Sequence, residues 1–539
     1  MKWPGHLLTA AALTACLACQ QAPQPDPAAE RLAALLAAPA PDTPRPLTRD
    51  LAAFYEQRAN APAWVTSKGK VPHAEEILST LARAADHGLP GDYGHTDVES
   101  AIAAIGAIKD DEAARTAAVA ELDVRITAAL LALGRDVALG HSSPTAIDKR
   151  WKARRTAPDF ASTLAAHVDG DLAAWLDTVK PVHLEYAQLQ TALQALEGQQ
   201  MKGGWPAVPA KSLAPGQHNP AVIAMRKRLA AGGYLSGSAA SSDSAAYDAD
   251  VAAAVKALQE HHTLKVTGIA DAATLAAMNV PIETRIAQVR ANLERWRWMP
   301  DDLGARHFFV NIPSYHVLAR EDGKTALDIR VVVGKPGHET PVFSSEMDTV
   351  VFSPYWNIPD TIAEGETVPA LAKDPKYLER NHIEILRPGK HGAEAIDPSS
   401  IDWDDEGATK GLLFRQLPGA DNALGHVKFL FPNPFDVYLH DTPADALFSR
   451  TGRAFSHGCV RVEEPERLAQ YVLRDAPEWT PERILEAMHS GTEKGVKLRE
   501  KIPVHIAYFT TSVDANGGLH LYDDVYGYDR KQLATKLTR

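Results

Sequence analysis

The strongest chemical signal in this chain is a histidine and a cysteine nineteen residues apart, His440 and Cys459, in a stretch that runs from Val437-Tyr-Leu-His-Asp441 to Phe455-Ser-His-Gly-Cys-Val-Arg461. Strand alternation puts Val437 and Leu439 on one face and Tyr438 and His440 on the other. Cys459 and Arg461, if extended, share a face while Val460 points into a core. Thr442, Pro443 and Gly452 punctuate the connection, which is long enough to bring back an adjacent strand or turn. A free thiol, with a pKa of about 8.5, is mostly protonated at neutral pH, and an adjacent imidazolium would lower that value and supply a thiolate nucleophile. Gly458 permits a close backbone approach, so the N–H groups of Gly458 and Cys459 are expected to face a developing oxyanion.

Blander readings of the same residues stand beside this one. A free cysteine is commonly an inert core residue, although the polar neighbours Ser456, His457 and Arg461 disfavour an apolar pocket here. His440, His457 and Cys459 could ligate zinc, but no fourth ligand stands at a recognisable spacing and no Cys-x-x-Cys accompanies them, so the expectation is no metal. Arg461 could pair with Glu463 or Glu464 as readily as with a substrate.

The elements that must position these groups follow from periodicity. From residue 306 to 511 apolar residues alternate in short runs, such as Phe308-Phe-Val-Asn-Ile312, Leu327-Asp-Ile-Arg-Val-Val-Val333 and Val427-Lys-Phe-Leu-Phe431, separated by Gly, Pro, Asn and Asp. This reads as a mainly β domain. Residues 362–425 break the rhythm and read as an insertion over the site. Helices are expected after Pro465 and from Thr480-Pro481-Glu482, which has a hydroxyl cap and a proline at the first helical position. Residues 512–539 are left as a C-terminal tail.

Upstream the period is helical. Residues 47–200 carry Ile77, Leu78, Leu81 and Ala84, then Ile126, Leu130, Leu133 and Val137, at helix spacing, and read as a helical scaffold. Residues 215–280 form a compact block after a Gly- and Pro-rich linker, and a connecting helix with Trp296 and Trp298 spans 281–305. The expected fold class is multidomain α+β.

With 539 residues there is chain enough for several domains. Hydrophobic residues at 45% and charged residues at 23% disfavour disordered and polytopic membrane classes. A net charge of −12 gives no general attraction to nucleic acid. The three cysteines, Cys16, Cys19 and Cys459, exclude a disulfide framework. Residues 1–19 hold an apolar run too short for a membrane span and read as an export leader. Residues 20–46, rich in Pro, Ala and Gln, read as a flexible tether. Leu13-Thr-Ala-Cys16, and less closely Cys16-Leu-Ala-Cys19, resembles the lipobox of bacterial lipoproteins, which implies acylation at Cys16 or Cys19; a plain cleaved leader is the alternative.

Larger resemblances rest on the motifs themselves. Ala221-Val-Ile-Ala-Met-Arg-Lys-Arg-Leu229, Gly233-Tyr-Leu235, Ala254-Val-Lys-Ala-Leu-Gln259 and Thr274-Leu-Ala-Ala-Met278 resemble the three-helix peptidoglycan-binding module. Ser456-His-Gly-Cys-Val-Arg461, preceded by His440, resembles the signature of the L,D-transpeptidase, or YkuD-type, catalytic domain. Tyr355-Trp-Asn-Ile-Pro359, Arg415-Gln-Leu-Pro-Gly419, Asn422-Ala-Leu-Gly425 and Phe429-Leu-Phe-Pro432 resemble its large subgroup with a scaffold, a binding module and a capping insertion. The resemblance implies Cys459 as nucleophile and His440 as base, with the main chain near Asp441 orienting His440. It also implies Ser456, His457 and Gly458 around the oxyanion, Arg461 on the loop or a substrate carboxylate, and Tyr438 and Trp356 lining the cleft. The implied reaction joins peptidoglycan stem peptides 3→3 through a thioester, expelling D-alanine, without a cofactor and outside the cytoplasm. The implied location is the periplasm, lipid-anchored with the outer membrane favoured, and carbapenems are expected to acylate Cys459. Two alternatives remain: an L,D-carboxypeptidase with water as acceptor, and a non-catalytic wall-binding scaffold.

Overall fold

The computed structural model of this chain describes residues 27–38, 44–238, 244–374, 376–389, 392–403 and 407–534. The leader, with Cys16 and Cys19, lies outside the described residues. The expected flexible tether is corrected in its described part, where Pro27–Ala37 is a helix. Its proline stands at the first helical position, and Ala28 and Leu32, four residues apart, are both buried.

Contacts gather the chain into two compact units that do not follow the sequence blocks. Among the described residues, one holds those up to Ala82 with Asp92–Leu133 and Asp159–Thr178; the other holds Arg83–Gly91, Gly134–Pro158 and those from Val179 onward. In the first, helices Arg45–Glu56 and Ala74–Ala82 bury Leu51, Phe54, Ile77 and Leu81. The buried carboxylate of Asp123 accepts the N–H groups of Ala63, Trp64 and Val65 and the Tyr55 hydroxyl. Burial raises the pKa of this carboxyl group, and the hydrogen bonds it accepts oppose that rise.

The second unit contains three short helices, Ala221–Ala231, Ala249–His261 and Ala272–Met278, packed on Val222, Met225, Leu229, Val251, Val255, Leu258 and Met278. Asp248 and Asp271 cap the second and third through the N–H groups of Val251 and Thr274. Helix Ile282–Trp296 follows, with Trp296 against Phe509 and Trp298 edge-on to Trp151.

The strands are β1 (Arg306–Asn311), β2 (His316–Glu321), β3 (Lys324–Gly334), β4 (Phe343–Phe352), β5 (Trp356–Ile358), β6 (Ile383–Gly389), β7 (Gly392–Ile396) and β8 (Leu413–Gln416). After them come β9 (Val427–Leu430), β10 (Leu439–His440), β11 (Ala454–Ser456), β12 (Val460–Val462), β13 (Lys494–Ala507), β14 (Thr511–Val513) and β15 (Leu519–Leu521). The nine-stranded sheet has the order β11-β3-β12-β10-β9-β4-β13-β1-β2, and β2 also pairs with β3. That second pairing closes every strand but β11 into a barrel. Its interior is apolar: Phe308, Val310, Val331, Val350, Phe429, Leu439, Val460 and Val504 are fully buried. Alternation along the strands supplies these residues and leaves the next residue of each strand free for other work.

The insertion folds as a separate four-stranded sheet, β5-β8-β6-β7, over its own cluster of Ile358, Leu378, Ile385 and Phe414. A π-helical turn, Ala363–Thr367, lies between β5 and β6. The segment expected to be a tail is folded: β14 and β15 form a hairpin, helix Tyr528–Ala534 follows, and Tyr526 and Tyr528 belong to the barrel core cluster. The sequence reading missed it because Gly517, Gly518 and Gly527 break the apolar pattern into runs too short to declare a period.

Candidate active site

Three chain segments meet to make the site. The parallel pairing of β10 with β12 sets Leu439 opposite Val460 and His440 opposite Arg461, and β9 sets Lys428 on the other side of His440. The loop between β11 and β12 carries His457, Gly458 and Cys459. Cys459 is half-buried and lines a cavity of about 880 Å³ together with His440, Tyr438, Trp356, Ser456, His457 and Arg461.

The loop's shape is fixed by hydrogen bonds and by one glycine. Ser456 Oγ donates to the Cys459 carbonyl at 2.6 Å and accepts the Gly458 N–H at 3.1 Å. Gly458 has φ +121°, a conformation that side chains disfavour. Its carbonyl accepts from Thr340 Oγ1, which in turn accepts the Gly334 N–H. Tyr526 Oη donates to the Gly334 carbonyl and accepts the Thr340 N–H. Thr340 and Tyr526 were not singled out by sequence reasoning, since neither lies in a motif. A buried threonine just before a strand and a tyrosine-rich C-terminus carry no chemical signature on their own.

These bonds correct the expected oxyanion pocket. The Gly458 N–H is committed to Ser456 and is not free for substrate, whereas the Cys459 N–H donates to nothing among the described residues. The His457 and Cys459 N–H groups therefore remain as uncommitted main-chain donors on this loop among the described residues.

His440 is buried, and its Nδ1 lies 2.6 Å from the Asp441 carbonyl oxygen. That carbonyl can only accept, so Nδ1 carries the ring proton and Nε2 is left as the basic nitrogen. The Asp441 carboxylate turns the other way, accepting the His426 and Thr442 N–H groups at 2.7 Å each. Gly425, at φ +59°, makes room for it: a Cβ there would lie 2.3 Å from Asp441 Oδ2.

The resting charges differ from the expected thiolate–imidazolium pair. Burial, with help from Arg461, lowers the His440 pKa to about 3, so the ring is neutral at physiological pH. Burial pushes the Cys459 thiol up, and hydrogen bonds to Tyr438 and the charge of Arg461 only partly oppose it. Among the described residues, Sγ approaches the Asp436 carbonyl at 3.6 Å and bonds to Tyr438, not to the imidazole. The physical reason is desolvation: a closed cavity penalises both charges of the pair until a substrate supplies compensating dipoles.

The remaining residues divide by partner. His457 Nε2 is 2.9 Å from Glu366 Oε1 on the insertion's π-helical turn and 3.3 Å from Lys335 Nζ, and its ring packs edge-on against His338. Glu463 pairs with Arg330, and Glu464 with Arg467, so neither surface acid claims Arg461. Arg461 is half-buried in the cavity wall, and its Nε has no partner among the described residues. Trp356 on β5 and Tyr438 beside β10 stand on the cavity wall, Tyr438 edge-on to His440. Lys428, Asp436, Glu366, Ala423 and Leu424 line it too. The last three belong to the insertion expected over the site, although none of them was singled out individually.

Comparison with known proteins adds a second kind of observation. Residues 305–503 match the family described as "L,D-transpeptidase catalytic domain", residues 218–278 match "Putative peptidoglycan binding domain", and residues 49–193 match "Scaffold domain". A "Putative L,D-transpeptidase" of Haemophilus influenzae is 38% identical over 250 residues, which are 46% of this chain and 50% of that protein. The chain thus spans about half the length of that relative. Two solved structures are similar at lower identity. L,D-transpeptidase 1 of Mycobacterium tuberculosis is 12% identical, with 38% of this chain and 61% of that one covered and a TM-score of 0.15. The L,D-transpeptidase of Xylanimonas cellulosilytica (residues 123–326) is 15% identical, with 56% and 98% covered and a TM-score of 0.16. Overlaps this loose leave the assignment to the sequence matches. Among the described residues no helix is long and apolar enough to cross a membrane.

Proposed function

We propose, for a chain that carries an L,D-transpeptidase catalytic domain beside a peptidoglycan-binding domain and a scaffold domain, that it joins peptidoglycan stem peptides 3→3 through a Cys459 thioester. The observation that carries this reading is the opening of one cavity onto both Cys459 and a neutral, singly protonated His440. Cys459 Sγ attacks the carbonyl of the third stem residue while His440 Nε2 takes the thiol proton. The tetrahedral oxyanion is met by the Cys459 N–H. Collapse breaks the bond to D-alanine, whose amine leaves with the proton from His440, and the acyl group stays on sulfur. The side-chain amine of a second stem then attacks the thioester, giving the new peptide bond and returning the thiol.

Arg461 places a positive charge on the cavity wall close enough to act on the thiol, which suits a donor whose departing residue ends in a carboxylate. The place of action on this reading is the cell-wall compartment, with the chain held to a membrane by an acylated Cys16 or Cys19. The test is incubation with defined tetrapeptide stem fragments and mass analysis of the products. Cross-linked dimer and free D-alanine are expected from the native chain and neither from Cys459→Ala. Tripeptide without dimer would reassign the chain as an L,D-carboxypeptidase, and unchanged substrate would leave a binding scaffold.

A further inference from the structure

Away from the catalytic cavity, the end of helix Ala249–His261 meets the hairpin of β14 and β15. There the side chains of His261, Asp514 and His520 turn toward one another, with their ligand-capable atoms all within 4.8 Å. His520 Nε2 lies 3.2 Å and His261 Nε2 3.6 Å from the same oxygen, Asp514 Oδ2. The two imidazole rings are 4.4 Å apart between centroids. Nitrogen and oxygen ligands about 2.0 Å from a zinc ion in a tetrahedron are about 3.3 Å from each other. The two measured edges bracket that length.

The surroundings are built as such a site requires. Asp514 Oδ1 accepts the N–H groups of Asn516 and Gly518 at 2.8 and 2.9 Å, which fixes the carboxylate and leaves Oδ2 facing both rings. Gly518 keeps the space open: a Cβ there would stand 2.5 Å from His261 Cε1 and 2.6 Å from Asp514 Oδ2. All three ligand residues are half-buried.

We propose that His261, Asp514 and His520 bind one divalent transition-metal ion of the zinc type, with water completing a tetrahedron. Two imidazoles and one carboxylate select such an ion over magnesium or calcium, which take oxygen ligands. The ion joins the last turn of a binding-module helix to the C-terminal hairpin that follows the catalytic domain, so it pins the two segments together, and none of its ligands lines the catalytic cavity.

The experiment titrates the purified chain with ZnCl2 by calorimetry and with CoCl2 by visible absorption, all in a Cys459→Ala background so that the active-site thiol contributes nothing. One equivalent of Zn²⁺ binding at micromolar Kd, an intense tetrahedral Co²⁺ spectrum, and a rise of roughly 3 °C in thermal midpoint at saturating Zn²⁺ are expected. His261→Ala, His520→Ala and the milder Asp514→Asn should each weaken binding about 100-fold while keeping the metal-free thermal midpoint. Binding that survives both histidine substitutions, or none at up to millimolar ZnCl2, overturns the proposal.

Discussion

Thr340 Oγ1 donates to the carbonyl of Gly458 at 2.8 Å, bridging 118 residues of sequence to hold the nucleophile's loop by its backbone. The same hydroxyl accepts the Gly334 N–H, and the side chain is fully buried. Thr340→Val preserves shape and removes both bonds. The expected cost is about 1–3 kcal/mol in stability, because a carbonyl and an N–H are left unanswered. A fall in kcat of tenfold or more with KM nearly unchanged is expected from steady-state assays, because the loop is displaced and the binding wall is not. An unchanged kcat would remove the loop-positioning argument.

The neutral resting pair has a measurable signature. Burial raises the Cys459 pKa, so below it the thiolate fraction climbs tenfold with each pH unit; His440, lowered to about 3, is uncharged throughout and contributes no imidazolium. Alkylation of Cys459 by iodoacetamide in the substrate-free protein is therefore expected to accelerate steadily from pH 6 to 9. A plateau reached below pH 7 would point to a preformed thiolate–imidazolium pair.

Gly425 offers a test of the histidine's support that leaves the histidine in place. Gly425→Ala would put a methyl group 2.3 Å from Asp441 Oδ2 in a left-handed turn. Displacing Asp441 moves the carbonyl that holds His440 Nδ1. The expected loss is about 2 kcal/mol or more of stability, read by chemical denaturation, together with at least a tenfold loss of kcat. A variant of native stability and activity would show that Asp441 has slack.

Glu366 joins the insertion to the catalytic loop through His457, and its side chain is 56% exposed. An exposed ion pair contributes on the order of 1 kcal/mol or less, so Glu366→Gln should change kcat/KM less than about fivefold. Loosening this edge should admit more water to the thioester. The ratio of tripeptide to cross-linked dimer, read by mass, is expected to rise; an unchanged ratio would place water control elsewhere.

Much of this was legible before any coordinates. Of the alternating residues, Leu439 is buried in the barrel core while its neighbours Tyr438 and His440 line the cavity, because a strand in a closed barrel has a period of two; Val437 departs from this by reaching the cavity as well. Trp296 and Trp298 are buried as a connecting helix with an apolar face demands. By contrast, the N–H of Gly458 was misassigned because the rotamer of Ser456, which claims it, is a local choice that sequence does not write. The tail was misjudged because Tyr526 and Tyr528 acquire their role only by packing against elements far upstream.

By itself the sequence determined the inventory and its order: one thiol within the described residues, an imidazole on the preceding strand, a glycine that tolerates φ +121°, and the alternation that sorts core from cavity. Those are consequences of local stereochemistry and of the period of a strand. Tertiary structure alone decided the protonation of the pair, the partner of each backbone donor, the insertion's contact through Glu366 and the meeting of His261 with Asp514 and His520. Each of those depends on desolvation or on distances between residues far apart in the chain, and neither quantity exists until the chain has folded.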